Sequence, residues 1–426
     1  MHGHNGVMLK AGKFGIAVVF AALAGCGTPP RLNPVRGTDW VSEDVASAPI
    51  AHVDSKSAQN RAPAAPAVVS PATIPAATSS APLASLALTP TLSEGRQTWV
   101  PLQQWCKANG LPALMLVSGG PPPTYALYTA NGNFTLGAGS RVMSWDRMQL
   151  SLGFAPQVIG GELYLHSLDL KKTLRPLATG MPKLASVSRI IIDPGHGGEN
   201  AGTRSVAANR HEKEFTLDWA ERLGSLLSAD GWQVVLTRTS DVDLSLSNRT
   251  AIADSHKAEL FISLHFNSAA PDEAEAGLET YCLTPAGMPS TVTRGFPDDA
   301  SLVFPNNSFD QQNLQVAAGI HRALLQVNGS RDRGVRKARF LGVLRNQKRP
   351  AILIEGGYLS NPREARLIAE PAYRQKLAEA VAQGLASVLG HYPERGPVAP
   401  SAQPQTGRAE AKNQEGRKSQ VKDFGD

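Results

Sequence analysis

Cysteine is almost missing from this chain of 426 residues. There are three, at positions 26, 106 and 282, and none stands at metal-ligand spacing from another. That argues against a thiolate metal site, and the wide separation of Cys106 and Cys282 argues against pairing them, so both are expected to be buried free thiols. Aromatic residues make up 6% of the chain. With neither aromatic platforms nor a recognition helix, nucleic acid is not expected as a partner. No apolar run is long enough to cross a bilayer. No Gly-Lys-Ser/Thr ending and no GxGxxG spacing is present, so a phosphate cradle is not supported. Charged residues reach only 18%, against 42% hydrophobic. Glycine and proline are abundant, at 39 and 31. This is a globular core diluted by low-complexity segments.

The formal net charge is +6, which fits a polyanionic neighbour such as a cell wall or a membrane surface. The N-terminus carries a targeting signal. Lys10 and Lys13 precede a short apolar run, Phe14 to Ala24, of the form of a signal-peptide core. The run ends in Leu23-Ala24-Gly25-Cys26, which resembles a bacterial lipobox. The resemblance implies removal of residues 1–25 and lipidation of Cys26, an anchor rather than a span. It further implies a periplasmic protein. Gly27, standing where an aspartate would retain a lipoprotein at the inner membrane, implies the outer one. Residues 26–96 are rich in Pro, Ala and Ser and lack periodicity, which predicts a disordered tether.

Order is predicted to return at 97–180 as a small β-rich α+β module. TWVPLQQWCKANGL reads as a strand and a helix, and TYALYTANGNFTLGAGSRVMSWDRMQLSLG as short strands with Asn-Gly and Asp turns. The module resembles the copper-amine-oxidase N-terminal-like domain that accompanies some cell-wall enzymes. His166 stands alone in it and is expected to be a packing or surface residue. From 188 to 392 strands and helices alternate. IIIDP, WQVVLTR, LFISLHFNS, GLETYCL, FLGVL and AILIEGG read as strands; between and after them lie helical stretches such as EFTLDWAERLGSLLSAD and AYRQKLAEAVAQGLASVL. Such alternation predicts an α/β domain, a mostly parallel sheet layered between helices. Residues 393–426 read as a disordered tail.

Four groups hold corresponding places in this domain. His196 leaves the strand Ile190–Ile192 on a glycine turn, Glu212 opens the first helix, His265 follows LFISL, and Glu355 follows AILI. Residues just past adjacent parallel strands converge on one edge of the sheet. Two imidazoles and a carboxylate make a three-ligand zinc site with one open position, and a further carboxylate beside it can serve as general base. Asp193, Arg249 and Asn267 are candidates to orient a ligand or to touch substrate. His211 and Glu214 are read as bystanders, and His256, His321 and His391 as helix-surface residues.

The blocks IIIDPGHGG, HEKEFTLDWAERL, WQVVLTR, SNRTAIAD, LFISLHFNS, GLETYCL, RGVRKARFLGVL and PAILIEGGYLSNPREARLI, in this order, make residues 188–390 resemble the zinc-dependent N-acetylmuramoyl-L-alanine amidases of the amidase_3 family. The resemblance implies His196, Glu212 and His265 as zinc ligands and Glu355 as catalytic base. It implies hydrolysis of the amide between N-acetylmuramic acid and L-alanine of the peptidoglycan stem peptide. The partners implied are peptidoglycan, the membrane through the anchor, and an activator protein as a candidate. Competing readings are an inactive wall-binding lipoprotein and a zinc carboxypeptidase or endopeptidase. The stretch 283–311 is an insert after the fourth strand. In relatives regulated at cell division an inserted helix here blocks the zinc site, but this one lacks helical periodicity and reads as a rim loop. The basic stretch RDRGVRKARFLGVLRNQKR is a candidate to line the groove and meet carboxylates of the stem peptide, or a solvated hairpin.

Overall fold

The computed structural model describes residues 92–94, 97–179, 187–293, 295, 298–327 and 329–390. Cys26, almost all of the tether, the tail and His391 lie outside these residues. Among the described residues no helix is long and apolar enough to cross a membrane.

The first module holds β1 (Leu92–Glu94), β2 (Gln97–Pro101), α1 (Leu102–Ala108), β3 (Met115–Ser118), β4 (Thr124–Thr129), β5 (Gly132–Gly137), β6 (Val142–Trp145), β7 (Met148–Ser151), β8 (Gln157–Ile159) and β9 (Glu162–His166). It closes with α2 (Ser167–Asp169), a π-helical turn at Leu170–Leu174, and α3 (Arg175–Ala178). The second part holds β10 (Arg189–Pro194), α4 (Glu212–Ala229), β11 (Gln233–Leu236), α5 (Leu246–Ser255), β12 (Leu260–Asn267), β13 (Leu278–Cys282), a 3-10 turn at Pro305–Phe309, and α6 (Asp310–Leu324). It ends with β14 (Asp332–Lys337), α7 (Gly342–Arg345), β15 (Ala351–Tyr358), α8 (Pro362–Ala369) and α9 (Pro371–Leu389).

β12 and β15 are buried at every position. Their apolar runs have no polar face because helices cover both sides of the sheet. α4, α6 and α9 pack on one side, while α5 and α7 pack on the other. Local chemistry sets the helix ends. Ser245 caps α5 by accepting from Asn248 N, and Asn361 caps α8 with Pro362 in its first turn. α9 stops at Gly390, in the left-handed conformation.

The strands run β11-β10-β12-β15-β13-β14-β7-β6-β5-β4-β3 in one sheet, and β1-β2-β9-β8 form a second. From β11 to β15 all pairs are parallel, but β13 runs antiparallel to β15. Since β13 and β14 pair in parallel again, this part of the sheet is mixed but mostly parallel, as the alternation predicts. At β14 it does not end. Val335 pairs with Leu150 of β7, and the meander β3–β7 continues the catalytic sheet. One hydrophobic cluster includes Phe134, Leu150 and Leu177 of the module together with Ile192, Leu264 and Ile354. Polar contacts cross the same boundary. Lys172 pairs with Asp310 at 2.9 Å, Asp332 accepts from Gln149 N at 2.7 Å, and the Arg322 guanidinium lies 4.0 Å from the Trp145 ring centre. The buried Lys337 donates to Thr173 Oγ1 at 3.0 Å and to Ser151 O.

Two expectations need correction. FLGVL is not a strand: Gly342–Arg345 is a short helix, and the strand lies just upstream at Asp332–Lys337. That strand is charged because its cations meet carboxylates and carbonyls, so it shows no apolar alternation. His321 is not on a helix surface. It is fully buried, between Thr280 Oγ1 and Asp332 Oδ1, each 3.0 Å from a ring nitrogen. The described part of the insert is a bracket against the module: Arg141 donates to the carbonyls of Pro289 and Ser290, and Met288 is fully buried. Residues 294, 296 and 297 of the insert lie outside the described ones.

Candidate metal centre and general base

β10 delivers His196. Pro194 ends the strand, Gly195 N donates to Leu264 O at 3.0 Å, and His196 itself sits at φ 62. A non-glycine residue in the left-handed region is held there by its surroundings. Two buried arginines do the holding. Arg249 donates to Asp193 Oδ1 (2.6 Å), Pro194 O (2.9 Å) and His196 O (2.9 Å). Arg238 donates to Pro194 O (3.0 Å), Gly195 O (2.9 Å), Lys213 O (2.8 Å) and Thr216 Oγ1 (3.1 Å). Burial and the neighbouring Arg249 pull Arg238 down to about 10. Asp193 also accepts from Thr237 Oγ1 and Ser263 Oγ. Burial opposes its charge, but Arg249 and these donors hold the carboxyl below its ordinary range.

α4 delivers Glu212 at its first position, with 2% of the residue exposed. Oε1 accepts from Phe266 N at 3.0 Å and Oε2 from Thr203 N at 3.1 Å. β12 delivers His265. The three residues meet: His196 Nε2 is 3.1 Å from Glu212 Oε2, and His265 Nδ1 is 2.9 Å from Glu212 Oε1. The imidazole centres are 5.0 Å apart. One donor atom from each of the three residues lies within 4.8 Å of the others, all buried. Close approach of backbone makes this compact. A Cβ at Gly195 would come within 2.1 Å of His265 Cε1, and one at Gly202 within 2.7 Å of His196 Cδ2 and 2.8 Å of Glu212.

The donor set fits a divalent cation. His196 Nδ1 is held at 2.7 Å by Asn200 Oδ1, an acceptor, so the proton belongs on Nδ1 and the Nε2 lone pair faces Glu212. A lone pair and a carboxylate oxygen facing each other need a positive charge between them. Burial pushes His265 down to about 4, while Glu212 raises it less. Burial also opposes the charge on His196, but the Glu212 carboxylate outweighs it and raises that imidazole. Glu212 stays ionised despite its burial because both imidazoles stabilise the anion.

Glu355 pairs in register with His265 across parallel β12 and β15. Partners in register project from the same face, with Cβ atoms about 5 Å apart. Glu355 is 1% exposed. The structure thus brings together all four residues singled out in the sequence. Asp193 and Arg249 are placed as a scaffold under the His196 turn. Asn267 is buried, and its Nδ2 donates to Glu279 Oε2 at 3.3 Å. Sequence reasoning missed Arg238 and Glu279. The available signal was a charged residue at the end of an apolar strand, Arg238 after VVLT and Glu279 within GLETYCL. Cys106 and Cys282 are buried and free, and burial pushes Cys106 up to about 11 and Cys282 to about 12. His211 precedes α4, where its backbone N donates to Glu214 Oε1, and it contributes nothing to the cluster.

A family model described as N-acetylmuramoyl-L-alanine amidase matches residues 190–387. The amidase CwlM of Bacillus licheniformis is 34% identical over 200 residues, which are 46% of this chain and 67% of that protein. The chain belongs to the N-acetylmuramoyl-L-alanine amidase family. AmiA of Escherichia coli is similar to this amidase over 270 residues at 28% identity, across 58% of this chain and 92% of that one. A solved N-acetylmuramoyl-L-alanine amidase from Clostridium difficile 630 aligns with it at 31% identity and a TM-score of 0.40, over 50% of this chain and all of that one.

Proposed function

We propose that this amidase hydrolyses the bond between N-acetylmuramic acid and L-alanine with a zinc ion held by His196, Glu212 and His265 and with Glu355 as general base. The observation that carries the reading is the meeting of the two imidazoles and Glu212 in one buried cluster, in register with Glu355 on the neighbouring strand. A bound zinc ion supplies Lewis acidity, polarising the scissile carbonyl and acidifying water. Glu355 accepts a proton from the attacking water on its carboxylate and returns it to the alanine nitrogen as the C–N bond breaks. Asn200 and the backbone amides of Thr203 and Phe266 fix the ligands before any metal arrives.

We further propose export, lipidation at Cys26 and attachment to the outer membrane on its periplasmic side, with the segment up to residue 96 as tether and peptidoglycan as partner. The leader composition and Leu23-Ala24-Gly25-Cys26 support this. Digestion of isolated peptidoglycan by the full chain should release stem peptides that begin with L-alanine. A chelator should stop release and added zinc should restore it. Chelator-resistant release, or fragments cut inside the peptide, would overturn the reading.

A further inference from the structure

β13 sets Glu279 opposite Glu355 and Tyr281 opposite Leu353, and β14 sets Arg336 opposite Tyr281. Partners in register share a face of the sheet. His265, Glu355 and Glu279 therefore form one row, and Arg336 lies on the same face of the next strand, level with Tyr281 and so two residues off that row. Glu279 is buried, and five donors converge on its carboxylate. Tyr358 Oη donates at 2.8 Å, Arg336 Nη1 at 2.9 Å and Asn267 Nδ2 at 3.3 Å, joined by Arg333 Nε and Tyr281 Oη. Arg333 Nη1 also pairs with Glu275.

This hub fixes the Arg336 guanidinium without using it up. Only Nη1 is engaged by a described residue, the side chain is 17% exposed, and Nε and Nη2 are not sealed from solvent. Nε and Nη2 form the lateral fork of a guanidinium, the edge that grips a carboxylate through two parallel hydrogen bonds. Two strand spacings of about 4.8 Å and an offset of two residues put the Arg336 backbone roughly 12 Å from that of Glu355, and the side chain reaches back toward the row, its Nη1 2.9 Å from Glu279 Oε1. In a peptide whose alanine nitrogen is at Glu355, a carboxylate on the next residue lies about 7 Å on. The backward reach of the Arg336 side chain and a charge-assisted hydrogen bond of about 2.8 Å cover the rest.

We propose that Arg336, held in place by Glu279 and Arg333, is the subsite for a carboxylate on the stem-peptide residue that follows the alanine. The proposal rests on the amidase reading with Glu355 as base. It makes the enzyme selective for stem peptides whose second residue is a free acid over those in which it is an amide.

The test uses the zinc-loaded full chain and two disaccharide-peptides that differ only in isoglutamate or isoglutamine at the second position. The acid should be cleaved with a kcat/KM about ten- to a hundredfold higher, mostly through KM. R336Q should lose at least tenfold more on the acid than on the amide. The dipeptides L-alanyl-D-isoglutamate and L-alanyl-D-isoglutamine serve as inhibitors of the unaltered enzyme. A potency gap of about tenfold favouring the acid supports the subsite even where R336Q does not fold. Equal cleavage of the two substrates, equal inhibition by the two dipeptides, or an unchanged preference in folded R336Q would overturn it. If neither substrate is cut, the amidase reading falls, and the subsite with it.

Discussion

Glu355 is the residue on which the chemistry turns, and its removal should separate chemistry from metal binding. E355Q keeps the shape and leaves His196, Glu212 and His265 intact. We expect zinc content equal to that of the unaltered enzyme and a kcat lower by about 10²–10⁴, checked by metal analysis beside a turnover assay. Asp193 offers a second residue-scale prediction. Its carboxyl sits below the ordinary value of 3.8 in the fold, so its contribution to stability is present above that value and is lost as pH falls further, toward the folded value. D193N leaves Arg249 buried without its counter-charge, which should cost about 3–5 kcal/mol at neutral pH. The melting-temperature gap between D193N and the unaltered protein should be widest near neutrality and narrow below pH 3.8; a constant gap would contradict the ionised pair. The four central residues were legible because each follows an apolar run or opens a helix. Arg238 was not, because most of its partners are backbone carbonyls 25 to 44 positions away, which no local pattern announces.

Elements were legible wherever burial left a period. β10, β12 and β15 read as strands because helices cover them on both faces, and α4 and α9 read from their apolar stripes. β14 was not, since Arg333, Arg336 and Lys337 are satisfied by Glu279, Glu275 and the carbonyl of Ser151. Its neighbour FLGVL imitates a strand but forms a helical turn against α5. The turn after β10 depends on a partner element in a way that can be measured. R238M removes one of two donors from each of the buried carbonyls of Pro194 and Gly195, leaving Arg249 on the first and Thr216 on the second, at about 0.5–1.5 kcal/mol for each hydrogen bond lost. Zinc affinity should fall about 10–100-fold, read by competition with a chromogenic chelator. R238M with unchanged affinity would show that Arg249 alone holds His196.

For the whole molecule, the sequence showed two ordered regions but not their junction. A single strand pairing at Val335 and Leu150, a shared apolar cluster and ion pairs such as Lys172 with Asp310 make that junction. None of these has a sequence signature, because each needs two surfaces already in place. A shared core predicts shared cooperativity. Amides of β5 and β6 should exchange hydrogen with opening free energies within about 1 kcal/mol of those in β12 and β15. Early, separate exchange of the module would contradict the shared core.

The shared core has a mechanical meaning. A pull on the chain at residue 97 enters β2 and is passed through packed side chains and peptide hydrogen bonds to the strands that carry His265 and Glu355. A body of this kind transmits torque as well as tension. A partner that gripped the module directly would therefore set the orientation of His265 and Glu355 as well as their position.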